Sequence, residues 1–140
     1  MWRSHKEKII MSENSITLIG NLVADPEYSK ASNGSDYLKG RIAVNESYNV
    51  GGEWKRRTNY FNFVCWDAIA VNTAVSVKKG DRIVLVGRSQ SRKYVDSNGV
   101  IQYIHEIVVR DLGVSTRWTP VNPVFNNSLD SEVDDVSVPA

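Results

Sequence analysis

The side chains in this sequence with the most chemistry to offer are aromatic, and basic residues flank them. Tyr48 and Trp54 bracket Gly51-Gly52, and Lys55-Arg56-Arg57 follow at once. Tyr60 and Trp66 come next, six residues apart, and Tyr94 directly follows Arg92-Lys93. An aromatic face stacks a nucleobase whatever its identity, while a neighbouring cation contacts phosphate. Lysine or arginine at a loop also serves solubility, and for any single residue that is the simpler account. The repeated pairing favours nucleic acid. Arg41 and Lys79 join the basic set as candidate phosphate contacts.

Other chemistries lack their residues. The sequence contains no P-loop pattern. His5 and His105 have no cysteine or second histidine at ligand spacing, so no metal is expected. Cys65 is the single cysteine, which excludes an internal disulfide and suits a reducing cytoplasm. Its place on an apolar strand face marks it as an inert core thiol. The carboxylates of the body are scattered, which leaves a metal-dependent nuclease far behind. No cofactor and no enzymatic activity are expected.

Short strands must position these side chains. Ser15 to Leu22 alternates, with Ile16, Leu18 and Leu22 on one face. Asp25-Pro26 and the stretch from Ser32 to Asp36 have turn chemistry. A second strand carries Leu38, Gly40, Ile42 and Val44 on one face and Lys39, Arg41, Ala43 and Asn45 on the other, ending in a mobile loop from Val50 to Glu53. A third runs from about Thr58 to Trp66. There Phe61, Phe63 and Cys65 form the more uniformly apolar set and go inside, leaving Tyr60, Asn62, Val64 and Trp66 outside. Outward aromatics also pack under loops or in subunit interfaces, but on this strand stacking is the favoured reading.

Asp67 is the expected N-cap of a helix over 68–77, stopped by Lys79-Gly80-Asp81. Arg82 to Gly87 is a fourth strand. A ribbon follows, Ser89 to Val95 and Val100 to Val109, turned at Asn98-Gly99. One helix between the third and fourth strands is the layout of the five-stranded, all-β OB barrel, here with an extended hairpin.

Charge divides the chain. Residues 1–117 hold seventeen basic and twelve acidic residues, whereas the remainder holds Asp130, Glu132, Asp134, Asp135 and no base. The expected organisation is a flexible extension over 1–12, an OB domain over 13–117 and a disordered acidic tail over 118–140. No apolar run approaches a membrane span, and the N-terminus lacks the apolar stretch of a signal peptide.

The order and spacing of these motifs resemble the bacterial single-stranded DNA-binding protein family from about Ser15 to Val114. The matching pieces include Leu18-Ile19-Gly20-Asn21-Leu22, Asp25-Pro26-Glu27, Asn45-Glu46-Ser47-Tyr48, Thr58 through Trp66, Lys78 through Asp81, Ser91 through Tyr94 and Glu106 through Val109. The resemblance implies a cytoplasmic, nucleoid-associated OB-fold homotetramer. Such a protein binds single-stranded DNA without sequence preference in replication, recombination and repair. It further implies that Tyr48, Tyr60 and Tyr94 stand where well-known members stack DNA on tryptophan, and Trp66 where they use phenylalanine. Trp54 has no counterpart in that set. The family starts just before its first strand, so Met11-Ser12-Glu13-Asn14 is the expected beginning, with 1–10 an extension, an alternative start or a cloning remnant. The Pro-Phe tip through which members recruit other proteins is missing from the end, which puts tail-mediated partners in doubt and suits a specialised paralogue or a phage- or plasmid-encoded version. The alternative is an OB-fold interaction subunit of a primosome-like assembly, its outer aromatics buried in a protein partner.

Overall fold

Alternating residues in the segment around Ile16 can bury one face only by joining a sheet, and six strands do so. The computed structural model describes residues 13–122. In chain order it contains β1 (Ile16–Leu22), β2 (Glu27–Lys30), β3 (Asp36–Val50), β4 (Glu53–Trp66), α1 (Ala68–Ser76), β5 (Arg82–Val95) and β6 (Ile101–Val114). The sheet runs β1-β5-β6-β4-β3-β2, and an additional β1–β3 pairing through Asn21↔Ala43 and Leu22↔Ile42 closes it. Five strands therefore form a barrel. β2 adds to the edge of β3 through Glu27↔Lys39 to Lys30↔Asp36. The parallel pairing of Phe63 with Ile107 and Val64 with Val108 joins the two long hairpins.

The core is the apolar set the alternation selects. Leu38, Ile42, Phe63, Cys65, Ile83 and Leu85 are fully buried, with Leu22, Ile107 and Val109 beside them. α1 adds Ala70 to the same cluster, and Val77 just beyond the helix completes it. Burial pushes the Cys65 thiol up to about 12, countered only partly by its hydrogen bond with Thr73. It is a packing residue.

Several elements depart from the expected pattern. The segment between the two turns at Asp25-Pro26 and Ser32 to Asp36, for which the sequence pattern predicts no element, contains β2, which makes α1 follow the fourth strand in the chain. Arg82 to Val95 is one continuous strand with a register shift at Val86/Gly87, because that irregularity bends the strand without ending it. β4 begins at Glu53 and β6 continues to Val114. α1 ends at Ser76, one residue early, where Val77 turns extended and seats its side chain in the core. Asp67 makes no side-chain cap. Its backbone has φ 60° at the corner between β4 and α1, and its N–H donates to the Asp36 carbonyl at 3.0 Å.

Both ribbon tips are tight turns. Gly51 (φ 60°) and Gly52 (φ 85°) form a two-residue loop of the type I′ kind, shorter than the loop expected from Val50 to Glu53, and the Gly52 N–H donates to Asn49 Oδ1 at 2.9 Å. At the other tip only Gly99 is left-handed (φ 78°), so Asn98 does not share the conformation expected for an Asn-Gly turn. The Gly99 N–H donates to the Asp96 carbonyl at 3.0 Å, the arrangement of a type I turn followed by a left-handed glycine. Asp96 Oδ1 accepts from the N–H groups of Asn98 (2.9 Å) and Val100 (3.0 Å).

Candidate nucleic-acid interface

Two long antiparallel ribbons carry the aromatics. β3 and β4 pair without interruption from Tyr37↔Trp66 to Val50↔Glu53. Side chains alternate across a strand, so this register sorts the ribbon into two faces. Tyr60, Trp54, Arg56, Asn62, Trp66 and Arg41 belong to one face; Tyr48, Lys55 and Arg57 belong to the other, continuous with Phe61 and Phe63. Over Glu53 to Tyr60 every β4 residue is exposed, so here the ribbon stands clear of the barrel and both faces meet solvent.

Each of two tyrosines on this ribbon has its own arginine. The Arg41 guanidinium lies 4.8 Å from the Tyr60 ring centroid, and Arg57 lies 5.2 Å from that of Tyr48. Both pairs are diagonal cross-strand neighbours, since Arg41 faces Asn62 and Arg57 faces Glu46. Cation–π attraction fixes such pairs and leaves guanidinium donors for phosphate. Arg57 also makes an ion pair with Glu46, whose carboxyl it holds below the ordinary range. Tyr60 is 54% exposed and Trp54 71%, so their ring faces are reachable. Lys55 stands opposite Tyr48, and Arg56 opposite Ser47. Trp66 is half-buried, its ring 4.7 Å from that of Tyr37 at a tilt of 56°. Val64, assigned by parity to the outer face, is buried where β4 meets β6.

On the second ribbon Tyr94 faces Gln102 and shares its face with Arg92 and Glu106. Arg92 Nε donates to Glu106 Oε1 at 2.9 Å, and Gln90 Nε2 donates to Glu106 Oε2 at 3.2 Å. Glu106 is buried, so Arg92 is committed to a carboxylate as well as near Tyr94. Lys93 lies on the opposite face, across from Tyr103. Tyr103 is 67% exposed and was missed in the sequence, although its parity with Lys93 across the turn was the available signal. Lys79 is not with the others. It sits before β5, at the far end of that strand from Tyr94, and its N–H donates to Asp25 Oδ1 at 2.7 Å.

Among the described residues there is no cluster of His, Cys, Asp and Glu suited to a metal ion, and no helix is long and apolar enough to cross a membrane. The arrangement offers stacking surfaces with cations beside them. A model of the single-strand binding protein family matches residues 13–115. The chain belongs to that family. It is 35% identical over 109 residues to single-stranded DNA-binding protein 2 of Streptomyces coelicolor, a match covering 75% of this chain and 54% of that one. The chain thus spans about half the length of that relative. It is 34% identical over 96 residues to single-stranded DNA-binding protein B of Bacillus subtilis, covering 68% of this chain and 83% of that one. The barrel superposes on a Plasmodium falciparum SSB solved in complex with single-stranded DNA, with a TM-score of 0.68 and 25% identity over 77% of this chain and 99% of that one. Residues 123–140, with the acidic tail and its end, lie outside the described residues, as do 1–12.

Proposed function

We propose that this chain coats single-stranded DNA without sequence preference, as a non-catalytic protein of replication, recombination and repair. The observation that carries the reading is the two-ribbon array in which Tyr48 and Tyr60 each hold an arginine over the ring, with Tyr94 and Trp66 completing the stacking set. Stacking uses the π-face that every base has, and arginines beside the rings supply sequence-blind phosphate contacts. Lys55, Arg56, Arg57, Arg41 and Lys93 are the primary phosphate contacts; Arg92 contributes from its pair with Glu106. The family resemblance extends the proposal to a homotetramer acting on the nucleoid in the cytoplasm.

The test is a titration of the purified chain with oligo-dT of increasing length, following tryptophan fluorescence and mass together. Quenching, a slope of log affinity against log salt of about −0.7 per contacted phosphate, and weak binding to duplex support the reading. An interaction subunit would leave the fluorescence unchanged. A fourfold mass per bound strand supports the tetramer.

A further inference from the structure

Away from both ribbon tips, at the start of β5, a groove of about 400 Å³ opens between the loop after α1 and the segment that follows β6. Its lining includes Lys78, Asp81, Arg82 and Trp118. The segment is held in place because the Ser115 N–H donates to the Arg82 carbonyl at 2.9 Å. That contact brings Trp118 over Arg82, with the guanidinium 4.4 Å from the ring centroid; Arg117 approaches the same ring at 5.0 Å. Trp118 is nevertheless 69% exposed. A tryptophan placed only to seal the barrel end would bury its ring, and this one offers it to solvent.

The polar groups point to what the groove takes. Arg82 Nε is buried and has no hydrogen-bond partner among the described residues. A buried donor without an acceptor is costly, and a guanidinium prefers an anionic oxygen. Asp81 does not supply one, because its carboxylate accepts from the Lys78 N–H at 2.9 Å and lies 3.8 Å from Lys78 Nζ. Two guanidinium groups thus approach an exposed indole, Lys78 lines the same groove, and the Asp81 carboxylate is already engaged. The combination matches that around Tyr60 and Tyr48: a ring to stack a base and guanidinium groups for the adjoining phosphate. The volume is within the range of small-ligand sites.

We propose that this groove is a second contact for the same single strand, taking one base on Trp118 and its phosphate on Arg82 and Arg117. The inference rests on the function proposed above. Tyr94 and Arg82 are twelve residues apart on β5, roughly 40 Å along an extended strand, so a short oligomer on the ribbons does not reach the groove. Length therefore separates the two sites.

The experiment compares the full chain with Trp118→Ala and Arg117→Gln, using oligo-dT of about four residues, the low end of the span of one OB fold, and of several tens of residues. Both variants should bind the short strand as the parent does. On the long strand Trp118→Ala should lose about tenfold in affinity, and Arg117→Gln should flatten the salt slope by about 0.7. A protein with Trp2, Trp54 and Trp66 changed to phenylalanine leaves Trp118 as the single tryptophan. Its emission should be quenched by the long strand and unaffected by the short one. Unchanged emission with saturating long strand, or variants that match the parent on it, would overturn the second contact while leaving the ribbon site intact. A parent that binds neither strand would overturn both.

Discussion

Arg92 and Glu106 are diagonal neighbours across the β5–β6 ribbon, where Arg92 pairs with Ile104 and Gln90 with Glu106, and a 2.9 Å hydrogen bond joins the half-exposed guanidinium to the buried carboxylate. The pair sits two residues before Tyr94 on the same face of the ribbon. A buried carboxylate needs its donors, and Gln90 supplies the second. The glutamate therefore anchors Arg92 and holds the ribbon that presents Tyr94. Replacing Glu106 with alanine should cost roughly 1–3 kcal/mol in chemical denaturation, since Arg92 and Gln90 lose their acceptor. Replacing Arg92 with alanine should reduce oligo-dT affinity as well. The check is to measure stability and affinity for both variants: a Glu106→Ala protein as stable as the parent would remove the anchoring role.

Tyr48 and Tyr60 lie on opposite faces of the β3–β4 ribbon, about five residue positions apart by register, or roughly 17 Å. Each is expected to stack a different base. Each alanine substitution should weaken oligo-dT binding about tenfold, and the double substitution should cost the sum of the two free energies, as sites this far apart act independently. Equilibrium titration of the two single variants and the double variant checks this. A double variant no worse than either single one would mean that the strand uses only one face.

Arg56 and Arg57 differ in what already holds them. Arg57 is engaged with Glu46 and the Tyr48 ring, whereas Arg56 stands opposite Ser47 on the other face. Arg56→Gln should flatten the salt dependence of binding by about 0.7, the loss of one phosphate contact. Arg57→Gln should also weaken Tyr48 stacking, so its affinity should fall even where salt has screened the phosphate term. Titrations from low to high salt separate the two effects.

The two faces of β4 were largely legible in the sequence. The parity of Phe61, Phe63 and Cys65 assigned the core face of β4, and Tyr60 fell on the opposite face as the alternation requires. β2 was not legible, because Glu27-Tyr28-Ser29-Lys30 are all exposed and have no apolar alternation; pairing along β3 forms the strand. Its Tyr28 hydroxyl donates to Asp36, which also meets Lys30 at 2.8 Å, a tertiary contact that no local pattern encodes. The Asp67 cap failed because the chain turns sharply there, and backbone geometry overrode side-chain preference. Trp118 sat among prolines and polar residues, so only the fold could bring it to Arg82.

Gly40 faces Phe63 across the β3–β4 ladder, and a Cβ built on it would lie 2.4 Å from Phe63 Cζ. Phe63 is fully buried in the closed barrel and has little room to yield. Gly40→Ala should therefore destabilise the fold by about 1–3 kcal/mol. By contrast, Gly113→Ala meets nothing within 4 Å and should be tolerated. Thermal denaturation of the pair decides it, and equal melting temperatures would show that the ring moves aside.

The turn that ends the second ribbon should respond to acid. The Asp96 carboxyl is held below its ordinary value of 3.8 by hydrogen bonds from the Val100 N–H, the Gln102 amide and the Asn98 N–H. A carboxylate with a depressed folded pKa contributes its stability above the unfolded value and loses it as pH falls through the folded one. The Asp96 contribution should therefore be complete above about pH 4–5 and decline below. Asp36, depressed mainly by Lys30, and Glu46, depressed mainly by Arg57, titrate in the same region, so the parent curve alone does not isolate Asp96. Asp96→Asn keeps an acceptor oxygen but has no charge to lose. The difference in melting temperature between parent and variant should thus be largest near neutral pH and shrink as the pH drops to about 3. Because Tyr94 lies two residues before the turn, oligo-dT affinity of the parent should converge on that of the variant over the same interval. A difference that stays constant with pH would mean that Asp96 holds the turn by hydrogen bonding alone, with no contribution from its charge.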